Sequence, residues 1–575
     1  MKKFVIALSV FFFLMSCASS NTAGVNEQPT VSEPQEVVEE PMSRPQNVTP
    51  FDITHRAPAN WYNDAVFYLM FVRSFQDSDG DGKGDLKGII NRLDYLNDGN
   101  PNTTTDLGIN AIWLMPIHPS PSNHGYDVID YFAVNPEYGT MDDLKTLLSE
   151  ARKRGIRIIL DLVINHASNR HPYFLESASG PTSPKRDWFI WSDRILHTRG
   201  PWGQSRVWHP ISEGANMYYY GVFNFLMPDW NHRNPNVAQM FRDISRFWIR
   251  DVGVGGFRLD AVRYLMEEGN RLADSPANVD YLKGFRSFVK SVNRDAYLVG
   301  EVWSGTEITS TYVPDAVDQV FSFDTQSAIV GSLKMENKEE LEFALDNVNR
   351  YLPLGTAAFF LSNHDMDRIM SQLGADFDKA KIAATLLMTA PGTPYIYYGE
   401  EIGQQGVKAA TDENWRRPMQ WGDGPAPGLG FTTGRPWGRG FNQPGVENTV
   451  ASQTNDPNSL LSWYRQLIRV RSSASALRTG RFVPVDTNSP QVYSFLRWDP
   501  SGAYLIVLNL GSRESRRYGL TLWSGPFKAG VQPVKVFGTE VAGNLNPPQI
   551  NETGGFDFYR PIDVLPPKAA LIIKL

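Results

Sequence analysis

The residues able to do chemistry lie at the ends of short apolar runs. In Gly256-Phe257-Arg258-Leu259-Asp260 an arginine and an aspartate stand two positions apart. Strand side chains alternate between faces, so both can meet one ligand. Glu301 ends the run Tyr297-Leu298-Val299-Gly300, His364 and Asp365 follow residues 357–361, and Asn165 and His166 follow residues 157–164. Carboxylates and imidazoles converging on one ligand are the material of acid–base and nucleophilic chemistry. A separate cluster lies in Asp77-Ser78-Asp79-Gly80-Asp81-Gly82-Lys83-Gly84-Asp85. Carboxylates at alternate positions around glycines can wrap a hard cation, so Ca²⁺ is expected there, held by the side chains of Asp77, Asp79, Asp81 and Asp85 and the Lys83 carbonyl.

Near-continuous apolar runs, alternating with amphipathic helical stretches, must position these tips. The run Val237, Met240, Phe241, Ile244, Phe247, Trp248 has helical spacing just ahead of the Arg258 strand, and the glycine pair 255–256 allows close backbone approach there. Strands buried on both faces with polar C-terminal tips predict an α/β fold, a (β/α)8 TIM barrel. The first strand is expected at 65–72, and a closing helix at 460–477. Beyond residue 480, short alternating runs at 482–485, 491–498, 503–510, 534–537 and 569–575 predict an antiparallel β-sandwich.

The segments DLVINH (161–166), GFRLDAVRY (256–264), GEVW (300–303) and FLSNHD (360–365), in this order, resemble the α-amylase family of glycoside hydrolases. His124-Gly125-Tyr126-Asp127 and residues 392–401 add to the resemblance, which covers roughly residues 60–575. It implies that Asp260 is the nucleophile and Glu301 the proton donor of a retaining hydrolysis. It further implies that Asp365 with His364 and His166 holds the sugar hydroxyls, that Tyr126 stacks under the sugar beside His124 and Asp127, and that Arg258 keeps Asp260 ionised. It places an inserted domain B after the third strand, where the Trp- and Gly-rich stretch 167–230 interrupts the rhythm, and makes Trp188, Trp191, Trp202 and Trp208 candidate sugar platforms or packing residues. The expected substrate is an α-glucan polysaccharide or maltooligosaccharide cut at internal α-1,4 bonds, because Ala261 after Asp260 accompanies that preference in the family's oligosaccharidase branch. An oligo-1,6-glucosidase or exo-α-glucosidase is the alternative, and a non-catalytic glucan-binding lipoprotein a remote one, disfavoured because all three acids are present.

At 575 residues several domains are expected, and a net charge of −7 with no basic stripe argues against nucleic acid. Lys2, Lys3 and the apolar run 4–15 read as a signal segment ending at Cys17, the only cysteine. Lipidation there implies export and attachment to a bacterial membrane. The expected division is signal 1–17, flexible tether 18–50, barrel 51–166 and 231–478, domain B 167–230, and β-sandwich 479–575, in a monomer.

Overall fold

The computed structural model describes residues 42, 45, 48–55, 58–204, 206–408, 412–424, 428–438 and 448–575. Cys17, the signal segment and nearly all of the tether lie outside these residues.

Eight parallel strands close into a barrel in chain order: β1 (Phe67–Met70), β2 (Ala111–Leu114), β3 (Arg157–Leu162), β4 (Gly256–Leu259), β5 (Tyr297–Gly300), β6 (Gln319–Phe321), β7 (Ala357–Phe360) and β8 (Thr393–Tyr397). All are buried apart from Arg157, which is why their sequences read as unbroken apolar runs. The register pairs Asp161 with Arg258, and Arg258 with Val299. Gly256 is required where β4 meets β5: at φ 147°, an added Cβ would lie 2.0 Å from the Tyr297 carbonyl oxygen.

The surrounding helices start where local chemistry dictates. Thr140 and Asp143 form a reciprocal capping box on helix Met141–Lys153, while Asn234 and Ser275 cap Pro235–Arg246 and Pro276–Val292, each with proline in the first turn. The expected closing helix is broken at Ala474 into Leu460–Ser473 and Ser475–Thr479.

Between β3 and helix Pro235–Arg246, three short antiparallel strands, Trp191–Ser192, Trp208–Pro210 and Tyr218–Tyr220, rise over the barrel mouth. The C-terminal region is a seven-stranded antiparallel sheet. Its strand Arg481–Thr487 pairs with Val492–Asp499 through residues 481–485 and with Leu520–Leu522 through Asp486 and Thr487. The sheet therefore folds over a core that includes Leu496, Leu505, Leu520, Phe556 and Leu571. Arg497 reaches from it to the barrel, donating to the Ala390 carbonyl at 2.7 Å. Residues 51–55 pack on this sheet too. Phe51 meets Trp498 edge-on at 5.1 Å, and Asp52 pairs with Arg481 at 3.3 Å.

Candidate active site

β4 delivers Arg258 and Asp260 to the mouth, and its tip turns sharply at Ala261, whose φ is 51°. A left-handed alanine costs roughly 1–2 kcal/mol, but the turn aims Ala261 N at Glu301 Oε2, 2.9 Å away. One guanidinium then organises three acids. Arg258 Nη1 lies 3.0 Å from Asp161 Oδ1 and 2.5 Å from Asp260 Oδ1, and Nη2 lies 2.9 Å from Glu301 Oε2. Asp161 also accepts from Trp113 Nε1 at 3.2 Å and from the Tyr126 hydroxyl at 2.9 Å. Tyr126 in turn accepts from His364 Nε2 at 2.5 Å and stacks on that ring, 5.3 Å between centroids.

Burial pushes the Asp260 and Glu301 carboxyls up to about 7 each, against the pull of Arg258, and Asp161 up to about 6. Arg258 itself is held charged by Asp161 and Glu301 despite burial. Two acids sharing one cation titrate as a pair. The 2.5 Å contact favours negative charge on Asp260, which leaves the proton of the pair on Glu301. Asp365 behaves oppositely: burial opposes its ionisation, but His364 and Arg416 hold it well below the usual carboxylate range. One ionised carboxylate beside a protonated acid is the arrangement for displacement at an acetal carbon with proton transfer to the leaving oxygen.

A cleft of about 360 Å³ is lined by His124, Tyr126, His166, Asp260, Glu301 and Asp365, together with Phe223, Asn224, Met227 and Arg416. The alpha-amylase catalytic-domain model matches residues 69–480 of the sequence. The chain belongs to the α-amylase family of glycoside hydrolases. "Alpha-amylase 3" of Dictyoglomus thermophilum is 38% identical over 459 residues, spanning 79% of this chain and 86% of its own. An oligo-1,6-glucosidase of Parageobacillus thermoglucosidasius is 30% identical over 530 residues, spanning 79% and 91%. Among solved structures, the α-amylase of H. orenii matches with TM-score 0.73 at 35% identity, covering 89% of this chain and 99% of its own.

In this α-amylase family site, most of the residues expected from sequence come together, and the exceptions have physical causes. Asp127 does not line the cleft; it is buried and accepts from Ser120 at 2.5 Å and from Ser122, fixing the loop that carries Tyr126. His166 Nε2 donates to the Tyr126 carbonyl at 3.1 Å, and His124 Nδ1 accepts from Tyr126 N at 3.1 Å, so both brace that residue while facing the cleft. Of the tryptophans, Trp188 and Trp191 are covered by Lys185 at 3.3 Å and Arg186 at 3.7 Å, and Trp208 is buried. Trp202 alone of the four lines a cavity that adjoins the cleft at Phe223, Glu301 and Asp365. Sequence reasoning missed Asp161, Trp113 and Trp303 as site residues, and Arg416 entirely. A strand-tip rule could have found Asp161, but no spacing marks Arg416, which stands fifty-one positions beyond Asp365.

In the acidic loop, carboxylate oxygens of Asp77, Asp79 and Asp85 lie within 4.8 Å of one another. Asp81, the fourth expected side chain, is not in this group. Its Oδ1 accepts from Lys83 N at 2.7 Å and its Oδ2 lies 3.7 Å from Lys83 Nζ, so its own neighbour engages it. Asp77 accepts from Gly80 N and Gly82 N, both at 2.8 Å, and Asp85 caps the next helix by accepting from Gly88 N at 2.7 Å. The loop is stitched to a later segment: Asp77 N donates to the Phe431 carbonyl and Trp437 N to the Gly82 carbonyl, each at 2.9 Å.

Proposed function

We propose that the protein is a retaining, endo-acting α-amylase that cuts internal α-1,4 bonds of starch-like glucans and maltooligosaccharides. The observation that carries this reading is that the cleft continues past the reaction centre. A second cavity of about 540 Å³ shares Phe223, Glu301 and Asp365 with the first and is walled by Trp202, Tyr264 and Trp303. An internal bond needs sugars on both sides, and Trp202 and Trp303, 51% and 49% exposed, offer flat apolar faces to them. Asp260 attacks the anomeric carbon while Glu301 gives its proton to the departing glycosidic oxygen. Glu301, now a base, then takes a proton from water as it displaces Asp260, so configuration is retained. The relative named Alpha-amylase 3 supports the α-1,4 reading, while the oligo-1,6-glucosidase makes the 1,6 linkage the competing one. Incubation with amylose and with isomaltotriose separates them. Mixed maltooligosaccharides released early from amylose are expected; faster turnover of isomaltotriose, or glucose as sole early product, would overturn the reading.

Ca²⁺ is proposed for the acidic loop. Oxygens 2.3–2.6 Å from one Ca²⁺ sit within roughly 5 Å of each other, a condition that Asp77, Asp79 and Asp85 meet. The cation would supply charge neutralisation and stiffness, remote from the bond being cut. Thorough chelation is expected to lower the melting temperature by on the order of 5 °C, with recovery on adding Ca²⁺. An unmoved melting curve would count against the ion.

A further inference from the structure

We propose that Phe225 and Leu226 form a platform outside the cleft that carries the stretch of α-glucan leading up to the sugar transferred to Asp260. The proposal rests on the endo-amylase reading and adds to it a surface that senses chain length. The two residues, 58% and 42% exposed, occupy the corners of a β-turn that Met227 N closes by donating to the Asn224 carbonyl at 3.2 Å. Three further bonds fix the turn. Leu226 N donates to Asn224 Oδ1 at 2.7 Å, the Tyr219 hydroxyl to the Phe225 carbonyl at 2.6 Å, and Asn169 N to the Leu226 carbonyl at 2.8 Å. Both corner carbonyls are therefore tied down, one to the short sheet over the barrel mouth and the other to the chain leaving β3.

Turn corners ordinarily take glycine, proline, asparagine, aspartate or serine, which suit the backbone there and the water around it. Here two large apolar side chains stand in succession on a braced turn, and neither joins a hydrophobic cluster of the described residues. They add nothing to the core, and an exposed apolar step beside a polar cleft marks a binding surface. Its place identifies the occupant. Asn224 and Met227, which flank the two corners, line the cleft that holds Asp260 but not the second cavity, whereas Trp202 and Trp303 line the second cavity but not the cleft. The turn thus continues the cleft on the side away from the tryptophans, along the path by which the other arm of a bound glucan leaves. Sugar rings pack their C–H faces on aromatic and aliphatic side chains, so an uncharged polymer with flat apolar faces matches this uncharged surface.

The test compares maltoheptaose with a nitrophenyl α-maltoside of two sugars. Phe225→Ala is expected to lower kcat/KM on maltoheptaose about tenfold, mostly through KM, and to cost the short substrate far less, about twofold at most. Phe225→Tyr keeps the ring and should keep the wild-type preference for the longer chain. With maltoheptaose labelled at its reducing end, Phe225→Ala should also lengthen the labelled products, because fewer sugars are then held on the Asp260 side of the bond. An unchanged kcat/KM on maltoheptaose with an unchanged product pattern overturns the proposal. So does an equal loss on both substrates, which would mean that the turn supports the reaction centre rather than the chain. If Phe225→Ala does not fold, Leu226→Ala is read in the same way. If the wild type cleaves neither substrate, or prefers isomaltotriose, the endo-amylase reading fails, and direct binding of maltoheptaose then decides for the platform: weaker binding by Phe225→Ala upholds it, and equal binding overturns it.

Discussion

Asp260→Asn is expected to lose on the order of 10⁴-fold in turnover while remaining folded. Asparagine keeps the size of the side chain and can still accept from Arg258, but its amide oxygen does not attack an acetal carbon at a useful rate. The fold should tolerate the change because Arg258 retains Asp161 at 3.0 Å and Glu301 at 2.9 Å, so no buried charge is left uncompensated. A stability change of no more than about 2 kcal/mol follows, well short of the cost of orphaning a buried ion. Turnover measured on amylose with matched melting curves checks both halves; a variant within tenfold of wild type would remove Asp260 from the nucleophile's role.

The second large effect belongs to Glu301→Gln. Its proton is needed where the leaving group is a sugar hydroxyl, so amylose hydrolysis should fall by about 10³-fold or more. A substrate whose leaving group departs without protonation, such as a glucosyl fluoride, should lose far less in forming the glycosyl-enzyme. The pH dependence has a definite sign. Burial pushes the Glu301 carboxyl up to about 7, and the group acts protonated, so wild-type activity on amylose is expected to decline as pH rises through that value, while the acid limb is set by Asp260, which must be ionised. Glutamine cannot lose this proton, so the variant's residual activity should lack that alkaline limb. An identical limb in wild type and variant would falsify the assignment of Glu301 as the acid.

How far the sequence foretold this molecule varied with the range over which the deciding interaction acts. The β4 and β5 tips were legible because alternation along a strand is local: Arg258, Asp260 and Glu301 stand where a period of two puts them. Strand β6 was not, since three residues, Gln319–Phe321, are too few to show a pattern. The same holds for the three-residue strand Leu520–Leu522 in the C-terminal sheet. Asp127 carries a motif position, yet two serines at 120 and 122 claim its carboxylate, a choice that only the loop's closed geometry makes visible. In the acidic loop, the alternation that suggested four ligands also lets Asp81 fold back on Lys83. Arg416 was hidden for another reason. Its role depends on contacts with Ser74, His364 and Asp365, none of them near it in the chain.

The docking of residues 51–55 also decides how the molecule can be held. The hollow beside them is lined by Ala357, the first residue of β7, by Pro391 just ahead of β8, and by Arg481 and Phe482. That is the end of the barrel opposite the strand tips that carry Asp260, Glu301 and Asp365. A hold applied at Phe51 would therefore act on the molecule from beneath, at the end away from the cleft. A long polymer could then reach the cleft without passing the point of hold, and a pull at Phe51 would load the aromatic and ionic seam at Trp498 and Arg481 before it reached the barrel.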